Sequence, residues 1–295
     1  LYIPEFERYM NLYPEYNKVF YDKNVISMIA NYCGVKTPEV LYTCIKGLIK
    51  DNNSKIITAE KLIYELNGLG EVFIKPTVES GGGSGCKIIE IVNGVDLKSN
   101  EPVSLILKAL GKDFVIQKCI ICNESIKSLY PSSVNTFRVL TYRWKDKIYS
   151  APVAMRIGQG GHYLDNAHQG GMFIAVDSNG HLHDKAMTET GIFYTEHPDT
   201  KIVFSNYIIT DFNKVNDAAI RIHSEIPQIG VANWDFTIDE HGNPVLIEGN
   251  MQYGGIWIFQ MAHGIGPFGE NTEEILKWIK KMRNISPSER VKYAF

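Results

Sequence analysis

Residues 72–92 read VFIKPTVESGGGSGCKIIEIV, two apolar, β-branched runs around a turn that holds Gly81, Gly82, Gly83 and Gly85, with Lys75 at the end of the first run. Runs of this kind on both sides of a turn make a hairpin. That constrains the fold more than any other stretch, because the two common glycine-rich nucleotide loops both open a helix. This loop opens a strand and lacks a Gly-Lys-Ser/Thr ending, which excludes a P-loop and a dinucleotide fingerprint. Glycines let backbone N–H groups converge on an anion, and the lysine adds a full charge, so the stretch points to phosphate. Taken alone, it also fits a flexible surface hairpin.

Around it the chain mixes short strands and helices. Asp22 opens a helix with Val25, Ile26, Ile29 and Cys33 at helical spacing and Gly34 as its stop, followed by the extended VKTPEVLYT. Thr58 caps a second helix carrying Leu62, Ile63, Leu66 and Leu69, ended by Gly70 before the strand EVFIK. Further strands are expected at DFVIQKCI, NTFRVLTYRW, KIYSAPVAMRI, GMFIAVD, WDFTID and NPVLIEG, with helices over 213–225 and 271–282. In the last helix Asn271 and Glu274 form a cap pair, and Lys277, Lys280 and Lys281 face the negative end. The aromatic opening, broken by Pro4 and Pro14, reads as short helical pieces lying on something larger. The pattern is α+β with two lobes: an N-terminal helical segment at 1–21, a lobe at 22–115 and a lobe at 116–295, with the hinge near 115–121.

At 295 residues and 44% hydrophobic content the chain can bury a sizeable core. A net charge of −3 gives no basic surplus for a nucleic-acid partner. No apolar run reaches the ~18 residues of a spanning helix, and LYIPEFERYM lacks the blocks of a signal peptide. Five cysteines, an odd set, fit a reducing compartment, so a cytoplasmic location is expected. Cys119 and Cys122 have zinc-knuckle spacing without a second ligand pair, and read as small residues closing a buried strand. Ser132, Ser133 and His183 make no nucleophile–base arrangement, which rejects a hydrolase. Trp144, Trp234, Trp257 and Trp278 read as packing residues.

The second informative stretch is NWDFTIDEHGNPVLIEGN at 233–250. Asp235 lies on one short strand, residues 239–243 supply the turn, and Glu248 and Asn250 alternate on one face of the returning strand. If the strands are in register Asp235 joins them. Two carboxylates and an amide oxygen are hard ligands that suit Mg²⁺ bridging phosphates. The opposite face, Phe236, Ile238, Val245 and Ile247, is apolar, so the hairpin lines a core rather than standing in solvent.

A lysine, a glycine flap and an acid-acid-amide cluster together describe a nucleoside triphosphate with magnesium, and on these motifs the chain resembles the ATP-grasp superfamily over nearly its whole length. The resemblance implies a two-lobed α+β fold with ATP held between two mixed or antiparallel sheets, two Mg²⁺ ions, and Mn²⁺ as a substitute. Asp22-Lys23 and GVKTPEV are similar to the entry of the N-terminal lobe, with Lys23 reaching the phosphates. FIKPTVESGGGSG is similar to the strand and flap, which puts Lys75 at the α- and β-phosphates and Ser80, Gly81, Gly82, Gly83 and Ser84 over the nucleotide. IQKCIICNE resembles the hinge: Gln117 near the adenine, Lys118 and Ile120 offering backbone groups, Glu124 on the ribose. NTFRV implies Arg138 at the transferring phosphate, and Asp235, Glu248 and Asn250 match the magnesium set.

Within the superfamily, FYDKN, AMRIGQGGHYLDNAHQGG and VLIEGN look most like the sugar-transfer-associated ATP-grasp proteins of bacterial polysaccharide loci. Because 21 residues precede Asp22, the Rossmann-like domain that often comes first is expected to be absent or reduced to a short helical segment. Acceptor choice then falls to the glycine-containing loop at 155–171, where the resemblance puts Arg156 and Asn166 at the carboxylate and its acyl phosphate. His162 and His168 are candidates for proton transfer, although a solvated loop histidine is the commoner case. Tyr253, Gly254 and Gly255 either border the acceptor or shape the turn. The implied activity is an ATP-dependent carboxylate–amine ligase acting on small molecules, with an amino acid or amino sugar joined to a uronic acid or other polysaccharide precursor. A phosphotransferase acting on a sugar or other hydroxyl would use the same nucleotide residues, and a binding module without catalysis is a third class. Oligomeric state is not readable from these features.

Overall fold

The structure is a computed structural model that describes residues 4–11 (backbone alone at 4–6), 17–77, 85–251, 254–290 and 292–293. It divides into two compact units, 38–120 and the combination of 1–37 with 121–295.

In the smaller unit the strands are β1 (Val40–Ile45), β2 (Leu48–Asp51), β3 (Ile56–Ile57), β4 (Glu71–Pro76), β5 (Lys87–Val92), β6 (Val95–Asp96) and β7 (Phe114–Lys118). They form one sheet in the order β3-β2-β1-β7-β4-β5-β6, every pair antiparallel. Two amphipathic helices, Ala59–Leu66 and Val103–Leu110, supply the rest of its core: Leu62, Leu66, Val103 and Ile106 pack with Val72, Ile74, Ile89, Phe114 and Ile116. Strand alternation then sends Phe73, Lys75, Val115 and Gln117 to the other face. Thr58 caps the first helix, accepting from Lys61 N at 3.2 Å. The second helix has no side-chain cap and follows Pro102, so its sequence, VSLILKAL, carries no start signal and was not expected as a helix.

The hairpin is present, with Glu71 opposite Glu90 and Ile74 opposite Lys87. Gly85 closes it at φ +75°, and a Cβ there would lie 2.9 Å from Cγ of Pro76, so the position requires glycine twice over. Ser80, Gly81, Gly82, Gly83 and Ser84 lie outside the described residues.

The larger unit holds β8 (Thr136–Trp144), β9 (Lys147–Ser150), β10 (Val153–Ile157), β11 (Met172–Val176), β12 (Ala186–Thr188), β13 (Phe193–Tyr194), β14 (Val231–Ile238) and β15 (Pro244–Asn250). Their order is β13-β12-β11-β10-β8-β14-β15, with β9 also on β8. KIYSAPVAMRI is thus two strands along one edge of β8: Pro152 has no N–H to give, and the register slips by one residue between Ser150, opposite Thr141, and Ala154, opposite Arg138. A second slip lies between Asp235 and Phe236, where β15 passes from Glu248 to Leu246. The extra residue is Ile247. The bulge corrects the expected apolar face: Leu246 and Pro244 stand opposite Phe236 and Ile238, and Val245 stands opposite Thr237.

β8 is the central strand, and one face of it carries Thr136, Arg138, Leu140 and Tyr142 in turn. Leu140 and Tyr142 join a buried cluster with Phe259, Phe268, Ile275 and Ile279, contributed largely by the helices Trp257–His263 and Thr272–Met282. Thr136 and Arg138 lie at the polar end of the same face. On the other side the helix Asn213–Ser224 buries Val215, Ala218, Ala219 and Ile222. The expected cap pair of the last long helix does not form: Asn271 donates to the Tyr142 hydroxyl, and Glu274 accepts from Trp144 Nε1 and pairs with Lys145. Asp22 does cap its helix, accepting from Asn24 N at 2.8 Å, and Gly34 ends it in a left-handed conformation. That helix, Lys23–Tyr32, packs on β15 and so belongs with 121–295, which corrects the lobe expected at 22–115.

Candidate active site

Cross-strand register assembles the site in the larger unit. Glu248 on β15 stands opposite Asp235 on β14, and Asp235 stands opposite Arg138 on β8. Directly paired residues in an antiparallel sheet share a face, so three charges from three strands form one row. One edge of the Arg138 guanidinium faces Asp235: Nη2 donates to Oδ2 at 3.0 Å, and Nε lies 2.5 Å from Oδ1 as an ion pair. Its Nη1 donates to the carbonyl of Gly254 at 2.5 Å. Asp235 is only 2% exposed, and its Oδ1, although ion-paired, is not in an aligned hydrogen bond.

Arg156 enters from β10, where it faces Thr136. It donates to Thr136 Oγ1 from Nε and Nη2 and to Asp235 Oδ2 at 3.1 Å, and it pairs with Asp165 at 3.3 Å. Burial alone would pull its pKa down, but the carboxylates of Asp165, Asp235 and Glu248 outweigh that and hold it above the ordinary arginine value. Asp165 in turn accepts from the backbone N and the hydroxyl of Thr136, at 2.7 and 2.5 Å. The result is an alternation of two arginines and two carboxylates, each charge set beside an opposite one. At the exposed end of the row Lys23 reaches Glu248 at 3.5 Å, from the first turn of the helix capped by Asp22.

Asn250 stands opposite Asn233, whose Nδ2 donates to Glu7 Oε1 at 3.4 Å. After Asn250 the chain turns back through Gly254, where a Cβ would lie 1.8 Å from Nδ2 of Asn233. Only glycine fits there. Asn166 sits two residues before His168 in the 155–171 loop. It caps a 3₁₀ turn, its side-chain oxygen accepting from His168 N at 3.1 Å. His168 Nδ1 is 2.6 Å from Glu189, and its side chain is 65% exposed. Glu124, also exposed, accepts from Ser128 Oγ.

Two candidates in the smaller unit, Lys75 and Gln117, lie on the face of its sheet away from the two helices. Lys75 on β4 is buried, and Gln117 on β7 stands opposite Phe73. Gln117 is 4% exposed, and its Oε1 has no hydrogen-bond partner among the described residues. The backbone N–H of Lys118 donates to the carbonyl of Glu39 at 2.9 Å, so that N–H is already engaged; its side chain pairs with Glu39 as well. Ile120 is the last residue of the unit.

Glu248, Asp235 and Asn250 are an all-oxygen donor set, and the unaligned Oδ1 of Asp235 is a buried acceptor of the kind a cation satisfies, so the residues present fit Mg²⁺. A cation there would compete with Lys23 for Glu248 and with both arginines for Asp235. Sequence reasoning missed Asp165, Thr136 and Glu7. Asp165 lies inside the 155–171 loop and is flagged only by its charge, while Glu7 is separated from its partners by more than 200 residues and gives no local signal.

Two antiparallel sheets, each with helices packed on it, are the architecture of an ATP-grasp fold. The profile of the sugar-transfer associated ATP-grasp family matches residues 4–275, and the chain belongs to that family. No curated protein matches it in sequence. Among solved structures it is similar to D-alanyl-alanine synthetase A of Vibrio cholerae O1, with a TM-score of 0.51 and 12% identity over 90% of this chain and 66% of that one. The D-alanine–D-alanine ligase of Bacillus anthracis complexed with ATP gives a TM-score of 0.47 and 15% identity, covering 94% of this chain and 68% of that one. Carboxyaminoimidazole ribonucleotide synthase of Aspergillus clavatus complexed with ATP gives 0.46 and 11%, covering 79% and 44%. At these identities the likeness is one of fold, and the chain spans less than half the length of the last of them. Among the described residues no helix is long and apolar enough to cross a membrane.

Proposed function

We propose that the protein is an ATP-dependent carboxylate–amine ligase that works through an acyl phosphate. The observation that carries this reading is the row Glu248, Asp235, Arg138 with Arg156 beside it: two carboxylates fit for magnesium next to two guanidiniums fit for a phosphate in transfer and a substrate carboxylate. A carboxylate is a poor electrophile because it would have to expel oxide. Attack of its oxygen on the γ-phosphorus of ATP, with ADP leaving, converts that oxygen into part of a phosphate leaving group. An amine then adds at the acyl carbon, loses a proton, and displaces phosphate.

Arg138, Lys23 and Lys75 meet the phosphate oxygens in this scheme, and Gln117, the carbonyl of Lys118, Ile120 and Glu124 hold the nucleoside. Electrostatic donors of this kind are worth roughly a hundredfold or more in rate each. Asp235, Glu248 and Asn250 would hold magnesium, which would supply charge neutralisation to the phosphates. Arg156 and Asn166 orient the acid. The family's name supports a sugar-linked substrate, and the pair we favour is an amino acid or amino sugar with a uronic acid or similar surface-polymer precursor.

The test is parallel quantitation of ADP and free phosphate from Mg-ATP with pooled amino acids and uronic acids. Equal release of both, dependent on acid and amine together, is expected. ADP without free phosphate would replace the ligase by a phosphotransferase.

A further inference from the structure

Glu7 is a carboxylate buried in the larger unit at the start of the chain, 5% exposed. Its Oε1 accepts from the backbone N–H of Gly254 at 2.9 Å and from Nδ2 of Asn233 at 3.4 Å. Gly254 is held from the other side as well, because its carbonyl accepts from Nη1 of Arg138. One glycine therefore links an N-terminal carboxylate to the arginine at the head of the charged row, and its own position is set by contact with the Asn233 side chain. Asn11, one helical turn on, fastens the same segment to the backbone of Gly230, Val231 and Met251 with four hydrogen bonds. Met10 seals it by packing against Gly230.

A buried carboxylate is costly unless its acceptors are filled, and a purely structural anchor could have been apolar, as Met10 is. Placing the charge on the N–H of Gly254 fixes the carbonyl that aims Arg138. We propose that Glu7 is a positioning residue for Arg138, acting through the Gly254 backbone, so that the N-terminal segment forms part of the phosphate site. This rests on the reading of Arg138 as the group that meets the transferring phosphate.

The test compares the affinities of Mg·AMP-PNP and Mg·ADP by calorimetry in the full chain, since their ratio isolates contacts to the terminal phosphate. Arg138→Lys and Glu7→Gln are each expected to lower the ratio about tenfold, which is about 1.4 kcal/mol, and the double variant to lower it no further than Arg138→Lys alone. Met10→Ala, which loosens the docked segment without touching Gly254, is expected to lower Tm and leave the ratio unchanged. Should Glu7→Gln not fold, Glu7→Asp, which keeps the charge but shortens its reach, is read instead with the same expectation. A wild-type ratio in the Glu7 variant beside a lowered ratio in Arg138→Lys would overturn the positioning role alone. A ratio unchanged by Arg138→Lys, or no nucleotide binding by the wild-type chain, would overturn the ligase reading and this inference with it.

Discussion

The two sheets carry their charged candidates in opposite ways. In the larger unit Arg138, Asp235, Arg156 and Asp165 come from three strands and a loop and neutralise one another, with Lys23 and Glu248 paired at the end of the row. In the smaller unit Gln117 is buried with an acceptor that has no hydrogen-bond partner among the described residues. The first region is stable because its charges are paired and is strongly disturbed when one is removed. The second carries the local cost of an unmet buried acceptor. Preorganisation by mutual pairing and preorganisation by an unmet acceptor should therefore respond differently to mutation.

The largest effect is expected from Asp235→Ala, which leaves two buried guanidiniums facing each other. Removing one partner of such a pair costs about 3–5 kcal/mol, measurable as a fall in urea midpoint followed by tryptophan fluorescence. All four tryptophans lie within 121–295, so that signal reports the larger unit.

Acid should widen the contrast, because all eight histidines also lie outside 38–120. His223, buried between Thr141 Oγ1 and the carbonyl of Ile229, has its pKa pushed down to about 4 by burial. Its unfolded form takes up a proton near pH 6.5, whereas its folded form resists until about pH 4. The stability it confers is thus complete above pH 6.5 and is lost as pH falls from 6.5 to 4, by about 3 kcal/mol in all. Burial also lowers the pKa of His197 and of His263, in the same direction. Peptide-level hydrogen exchange should show the larger unit opening first over that window, and equal loss of protection in both units would contradict it.

A smaller loss, about 1–2 kcal/mol, is expected for Gly85→Ala, where a positive φ and the Pro76 ring both oppose a side chain. Thermal unfolding would register it. The smallest change in stability belongs to Gln117→Leu, which removes an unpaired buried amide and should lie within about 1 kcal/mol of wild type, while ATP affinity measured by calorimetry falls. Loss of stability without loss of affinity would make Gln117 a core residue.

The same contrast explains what was legible in the sequence. The hairpin at 72–92 and the pairing of Asp235 with Glu248 follow from period-two alternation across a short turn, so both are present in the fold. The bulge at Ile247 is invisible to alternation, because one inserted residue changes no composition and only shifts which side chains face the core. The helix Val103–Leu110 is hidden by its shortness and its missing side-chain cap. The support of the charged row by Asp165, Thr136 and Glu7 joins residues tens to hundreds of positions apart, and such contacts leave no periodicity to read.

The most direct measurement is binding of Mn·ATP, with Mn²⁺ standing in for Mg²⁺, followed by electron paramagnetic resonance in the wild-type chain and in Glu248→Gln. That substitution keeps the shape and removes one of the proposed metal carboxylates. A wild-type complex that weakens at least tenfold in a variant with unchanged circular dichroism is the expected result. Equal binding in both would contradict the assignment of the Glu248–Asp235–Arg138 row as the metal and triphosphate site.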